Sequence, residues 1–100
     1  MKVVYLETTK PDLPWYRMYY QSIFPEGRRK AARQYLRALA NLVDNPRLGK
    51  PLAKPGVREY SIPRIPFSII YQLVEDRLEI MRLWDLRSNP DTLGFHEGTP

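Results

Sequence analysis

One hundred residues with sixteen basic and eleven acidic side chains, a net charge of +5, make one small basic domain whose core can remove about 60 to 70% of the chain's surface from water. There is no cysteine and only one histidine, His96, which excludes disulfides, thiolate metal sites and histidine clusters, so neither a metal nor a cofactor is expected. No run approaches the roughly 18 to 20 apolar residues that cross a bilayer, and the N-terminus lacks the order of a signal peptide, so a cytoplasmic protein without a membrane partner is expected.

In chain order, Val3 to Leu6 form a short apolar run with β-forming residues, predicting a strand near residues 2 to 7. Asp12-Leu13-Pro14 places an N-cap candidate before a first-turn proline and predicts a helix near residues 12 to 24. Trp15, Met18, Tyr19, Ser22 and Ile23 fall on one face of it, the face expected to pack on a sheet, with Tyr16, Arg17 and Tyr20 on the other.

A second helix is predicted near residues 27 to 44, with Ala32, Tyr35, Leu36, Leu39, Leu42 and Val43 as its apolar face and Asn45-Pro46 as its stop. Its first turns hold Arg28, Arg29, Lys30, Arg33 and then Arg37, with no acid from 28 to 37. Cations near a helix N-terminus oppose the macrodipole by about 0.3 to 1 kcal/mol each. Stability alone would not choose this arrangement; a surface for an acidic partner and a merely solvated face both account for it.

Residues 46 to 56, PRLGKPLAKPG, read as a basic connecting loop that brings Lys50 and Lys54 towards Arg58. Three strands then follow, near residues 57 to 62, 66 to 74 and 77 to 85, separated by Pro63 to Pro66 and by Glu75-Asp76. In the middle one Phe67, Ile69, Tyr71 and Leu73 alternate with Ser68, Ile70, Gln72 and Val74, so both faces are apolar, as in a central strand. Arg58, Arg64, Arg82 and Arg87 lie in or beside these strands with Tyr60 and Tyr71. They are candidates for contacting phosphate or an acidic partner, or for simple cross-strand pairs with Glu59 or Asp85. Arg58 is expected to share a surface with Arg87. The tail, residues 91 to 100, has only Leu93 and Phe95 as anchors and is expected to be irregular.

The expected fold is α+β: a two-helix hairpin on one face of a mainly antiparallel four-stranded sheet, order βααβββ, with the opposite face partly open. This order, the basic loop before Val57-Arg58-Glu59-Tyr60, the strand Phe67-Ser68-Ile69-Ile70-Tyr71 and the closing run from Ile80 to Pro90 resemble the RelE/ParE superfamily of bacterial type II toxins over residues 1 to 90. The resemblance implies an antitoxin that wraps and neutralises the toxin, with operator DNA reached only through that complex. It further implies one of two activities: inhibition of DNA gyrase on the ParE-like side, or metal-independent cleavage of ribosome-bound mRNA on the RelE-like side. A non-toxic relative kept for antitoxin or DNA binding is the remaining alternative.

The residues favour the ParE-like side. Ser68 stands where RelE-like chains often carry arginine, Ser88 follows Arg87 in place of a second basic residue, Asp85 replaces a frequent histidine, and no tyrosine follows Arg87. A serine hydroxyl gives one neutral hydrogen bond where a guanidinium gives a charged fork. For a nuclease the catalytic candidates are Arg58, Arg82 and Arg87; for binding a target they are Lys54, Arg58, Tyr60, Arg64 and Arg87; for the antitoxin they are Arg28, Arg29, Arg33 and Arg37.

Overall fold

The computed structural model describes residues 1–89. The expected tail, residues 91 to 100, lies outside the described residues. The chain runs β1 (Lys2–Tyr5), α1 (Asp12–Met18), α2 (Arg28–Asp44), β2 (Lys50–Pro51), β3 (Val57–Ser61), β4 (Phe67–Val74) and β5 (Arg77–Asp85), with a π-helical turn, Tyr19–Ile23, continuing α1. One mostly antiparallel sheet has the order β1-β5-β4-β3-β2, in which only the β1–β5 pair is parallel. The expected four strands thus become five. The extra one is two residues of the basic loop, Lys50 and Pro51, lying opposite Glu59 and Arg58; a proline can sit there because an edge strand has one side with no ladder bond to make.

β4 is the central strand, and its two-faced apolar pattern is used as such. Phe67, Ile69 and Tyr71 face the helices in a core with Tyr20, Ala31, Ala38, Leu42, Leu78, Ile80 and Leu83. Ile70 joins Val57, Leu52, Met81 and Trp84, with Leu6 packed against them, in a smaller cluster on the other face. That second face is closed by its own large side chains, where a partly open face is expected from the sequence.

Both helices lie on one face, but each is rotated from the orientation the spacing predicts. In α1 and its π-helical extension, Leu13, Tyr16 and Tyr20 pack inward, while Trp15, Met18 and Ile23 are exposed. Aromatic residues occupy both sides of this helix, so periodicity fits either face; the choice is made by Asp12. Its side chain does not cap the helix, of which it is the first residue, but crosses to β5. In α2 the small residues Ala31 and Ala38 are buried with Leu42, whereas Ala32 is exposed and Leu36 is 66% exposed. Small side chains let the helix approach the sheet closely, at the cost of leaving one leucine outside.

β1 ends at Tyr5, opposite Ile80, so the rest of β5 has an outer edge without a strand. Its backbone groups are met in other ways. The Leu6 N–H donates to the Ile80 carbonyl (2.9 Å), the Thr8 hydroxyl to the Met81 carbonyl (2.6 Å), and the Leu83 N–H to Asp12 Oδ2 (3.1 Å). A bulge at Met81, which has no partner on β4, re-aims the following residue, Arg82.

Candidate functional site: a wired strand end and a cationic helix face

At the end of β5 the bulge sends the Arg82 guanidinium to Asp12, with Nε to Oδ2 at 2.7 Å and Nη2 to Oδ1 at 2.8 Å. Its Cζ lies 5.2 Å from the centre of the Trp84 ring. Asp12 therefore accepts three hydrogen bonds, two from a guanidinium and one from a strand-edge N–H, and fixes α1 to the sheet. Arg82, a candidate for phosphate contact or for a pair with Glu59 or Asp85, is bound instead to a carboxylate seventy positions earlier.

Asp85 organises the next cluster. It accepts from Arg87 Nε (2.9 Å), Arg87 Nη2 (2.8 Å), the Arg87 backbone N–H (2.9 Å) and the Trp15 indole N–H (2.9 Å). Burial alone would raise the Asp85 carboxyl; the side-chain and backbone hydrogen bonds from Arg87 and the one from Trp15 outweigh it and hold the group below the usual carboxylate range. Arg87 is shifted upward, chiefly by its bond to Asp85. Its Cζ also lies 4.4 Å from the Tyr19 ring centre, and Nη1 donates to the Tyr19 hydroxyl at 3.1 Å. So the guanidinium folds back onto Asp85 and Tyr19 rather than leaving the sheet, yet it stays 48% exposed. Trp15, Met18, Phe24 and Leu86 are exposed as well; the Tyr19 ring lies tilted at 6.3 Å from Trp15 and 6.4 Å from Phe24. An arginine set over a tyrosine ring beside exposed Trp15 and Phe24 has the composition of a protein-binding hot spot.

Arg58 does not share this surface. It lies opposite Tyr71, which faces Ile80, whereas Asp85 faces Phe67 at the other end of the sheet. Its Nη1 donates to the carbonyl of Gly49 (2.7 Å) and, more weakly, to that of Arg47 (3.4 Å). The Tyr71 hydroxyl donates to the Pro46 carbonyl and accepts from the Gly49 N–H. A Cβ at Gly49 would stand 2.7 Å from that hydroxyl, so glycine is required for the approach. Arg58 and Tyr71 together thus hold the loop that ends in β2. Tyr60 is half-buried against the helix-side core. Lys54 and Arg64 are exposed in separate turns, Arg64 with a left-handed φ of 68°.

Ser68 is fully buried and donates to Glu59 Oε2 at 2.6 Å. The position where RelE-like chains often have arginine is here an internal polar pair beneath the sheet surface.

The second basic surface is the outer face of α2. Arg28, Arg29, Lys30, Arg33 and Arg37 are all exposed around Leu36. Among the described residues none of them makes an ion pair. Sequence reasoning finds this face because its signal is local, and misses Asp12, Trp15 and Tyr19, whose partners lie about 70 residues away. Among the described residues no group of His, Asp and Glu side chains could hold a metal ion, and no helix is long and apolar enough to cross a membrane.

Comparison with known proteins agrees with this architecture. No curated protein matches the chain. A solved structure described as the chromosomal ParDE TA system from P. aeruginosa is similar, with a TM-score of 0.67 and 28% identity over 87% of this chain and 97% of that one. The family model of the ParE toxin of type II toxin-antitoxin systems, parDE, matches residues 10–90. Because that model spans both helices and strands β2 to β5, the chain belongs to the ParE toxin family, on the ParE-like side of the RelE/ParE superfamily.

Proposed function

We propose that this toxin inhibits growth by binding a protein target, DNA gyrase, through the Arg87 end of the sheet, and that it is neutralised by an antitoxin whose acidic segment covers the outer face of α2. The observation that carries the reading is the strand-end cluster, where Asp85 holds Arg87 by two side-chain bonds over the Tyr19 ring, with Trp15 and Phe24 beside that ring. A guanidinium already oriented by a carboxylate and a ring keeps little rotamer entropy to lose, so it suits a binding anchor.

Nuclease chemistry needs cationic donors converging on one developing charge. Here Arg82 is occupied by Asp12, Arg58 by loop carbonyls at the other end of the sheet, and Ser68 by Glu59. The test is induction of the toxin in cells without antitoxin, with transcripts mapped for cleavage, beside a supercoiling assay on gyrase with the purified protein. The expected result is inhibited supercoiling with intact transcripts, and loss of inhibition in Arg87→Ala that is still folded. Cuts at codon spacing with unaffected supercoiling would overturn the reading in favour of ribosome-dependent mRNA cleavage.

A further inference from the structure

Between the two basic surfaces lies a cavity of about 290 Å³ lined by Tyr5, Leu13, Tyr16, Arg17, Tyr35 and Leu83. It forms where β1 has ended and α1 and α2 pass over the free part of β5. Its walls are two leucines and three phenol rings. The Tyr5 and Tyr35 hydroxyls are hydrogen-bonded to each other, which meets one hydroxyl proton within the chain and leaves that of the accepting hydroxyl to solvent. Burial raises the pKa of Tyr16 and of Tyr35 and keeps both phenols neutral. The one charged lining group is Arg17, which is exposed and makes no ion pair among the described residues.

We propose that this cavity seats one bulky apolar side chain of the antitoxin's acidic segment, and that Arg17 pairs with a carboxylate next to that side chain. The inference rests on the proposed antitoxin partner and adds where that partner is anchored. The volume is at the lower end of pockets that hold small molecules, about 300 Å³, and has room for a single large side chain. The helix that supplies Tyr35 also presents Arg28, Arg29, Arg33 and Arg37 outward. A peptide with acids beyond the anchor would use all of this positive surface; a small free acid would use only Arg17. A side chain filling a well-packed, desolvated pocket is the usual form of an interface anchor.

The experiment uses the full-length toxin and its cognate antitoxin. The probe for the cavity is 3-phenylpropionate, followed by the methyl resonances of Leu13 and Leu83, with 3-phenylpropanol as the uncharged comparison. The acid is expected to shift both methyls saturably and to bind several-fold more weakly to Arg17→Gln, and the shifts should vanish when the toxin is saturated with antitoxin. In Leu13→Phe, which places a ring in the cavity, antitoxin is expected to dissociate about tenfold faster, with association nearly unchanged, since losses of contact act mainly on the off-rate. Should Leu13→Phe fail to fold, the protection experiment on the unmodified toxin decides alone. If the probe still shifts Leu13 and Leu83 in the saturated complex, the cavity is empty there and this inference falls while the antitoxin reading stands. If antitoxin does not bind the unmodified toxin, the antitoxin reading itself falls.

Discussion

The strand end and the outer face of α2 are both basic, but they use their arginines in opposite ways. At the strand end each guanidinium has a carboxylate within 3 Å and an aromatic ring close by. On α2 no cation of the 28–37 run has an acid partner among the described residues. Arginines of the first kind hold the fold together, because removing one partner strands a partly buried charge. Arginines of the second kind contribute next to nothing to folding and remain available to another molecule. Mutation should separate the two regions, with stability as well as target binding responding at the strand end and antitoxin association alone responding on α2.

The largest loss of stability is expected at Asp12. Asp12→Ala removes from Arg82 its one carboxylate partner among the described residues and from the Leu83 N–H its acceptor, leaving a side chain that is 22% exposed without that partner. A cost of about 3 kcal/mol is expected in urea unfolding. Asp12→Asn, which still offers an oxygen to the Leu83 N–H, should cost roughly half as much. A change below about 0.5 kcal/mol for Asp12→Ala would show that the α1 docking is held by Leu13, Tyr16 and Tyr20 alone.

Next comes the Asp85–Arg87 pair. Asp85→Ala leaves the part-buried Trp15 indole N–H without its acceptor and should cost about 1 to 2 kcal/mol, more than Arg87→Ala, with a coupling of about 1 kcal/mol in the double mutant. Additive losses would mean that Arg87 does not rely on Asp85. The same pair sets an acid limit. The folded-state pKa of Asp85 lies below its ordinary value, so its contribution to stability is fully present above the unfolded pKa, near 4, and is lost as the pH falls through the folded value. In Asp85→Asn this part of the acid dependence should be absent, which a series of denaturation curves between pH 6 and about pH 3 would reveal.

The difference between the regions also explains how much could be read from the residues alone. The order βααβββ, the helix limits and the central position of β4 are carried by patterns within a few residues: Pro11 and Pro14, Asn45-Pro46, the double-sided run Phe67 to Val74. The cationic face of α2 is likewise a local pattern. What a pattern of this kind lacks is contact information. Asp12 has the local signature of a helix cap, and only the edge of β5, left open where β1 stops, makes it a partner for Arg82. Trp15 and Tyr16 are adjacent aromatics of similar apolar weight, so nothing local says which one enters the core and which one reaches Asp85. In α2 hydrophobicity ranks Leu36 above Ala31 and Ala38, but close packing on the sheet selects the alanines. β2 escapes because Lys50 and Pro51 have no strand propensity; they are held opposite β3 by Arg58 and Tyr71.

The smallest effect on stability, and the clearest on binding, is expected on α2. Arg29 stands in the first turn of that helix and Arg33 one turn on, both exposed. Reversing them to glutamate removes two charges that oppose the helix macrodipole and installs one in the first turn that favours it, so stability should rise by about 0.3 to 1 kcal/mol rather than fall. Association with an acidic antitoxin should slow by about tenfold at low salt and lose much of its salt dependence, because the long-range attraction acts on encounter more than on the bound state. The two shifts have opposite signs for one cause: charges that the folded chain would be slightly better without are the ones that draw the partner in. A double variant that is more stable and still associates at the unmodified rate, with the same salt slope, would remove the outer face of α2 from the antitoxin surface and leave the cavity beside Arg17 and the aromatic strand end as the candidate interfaces.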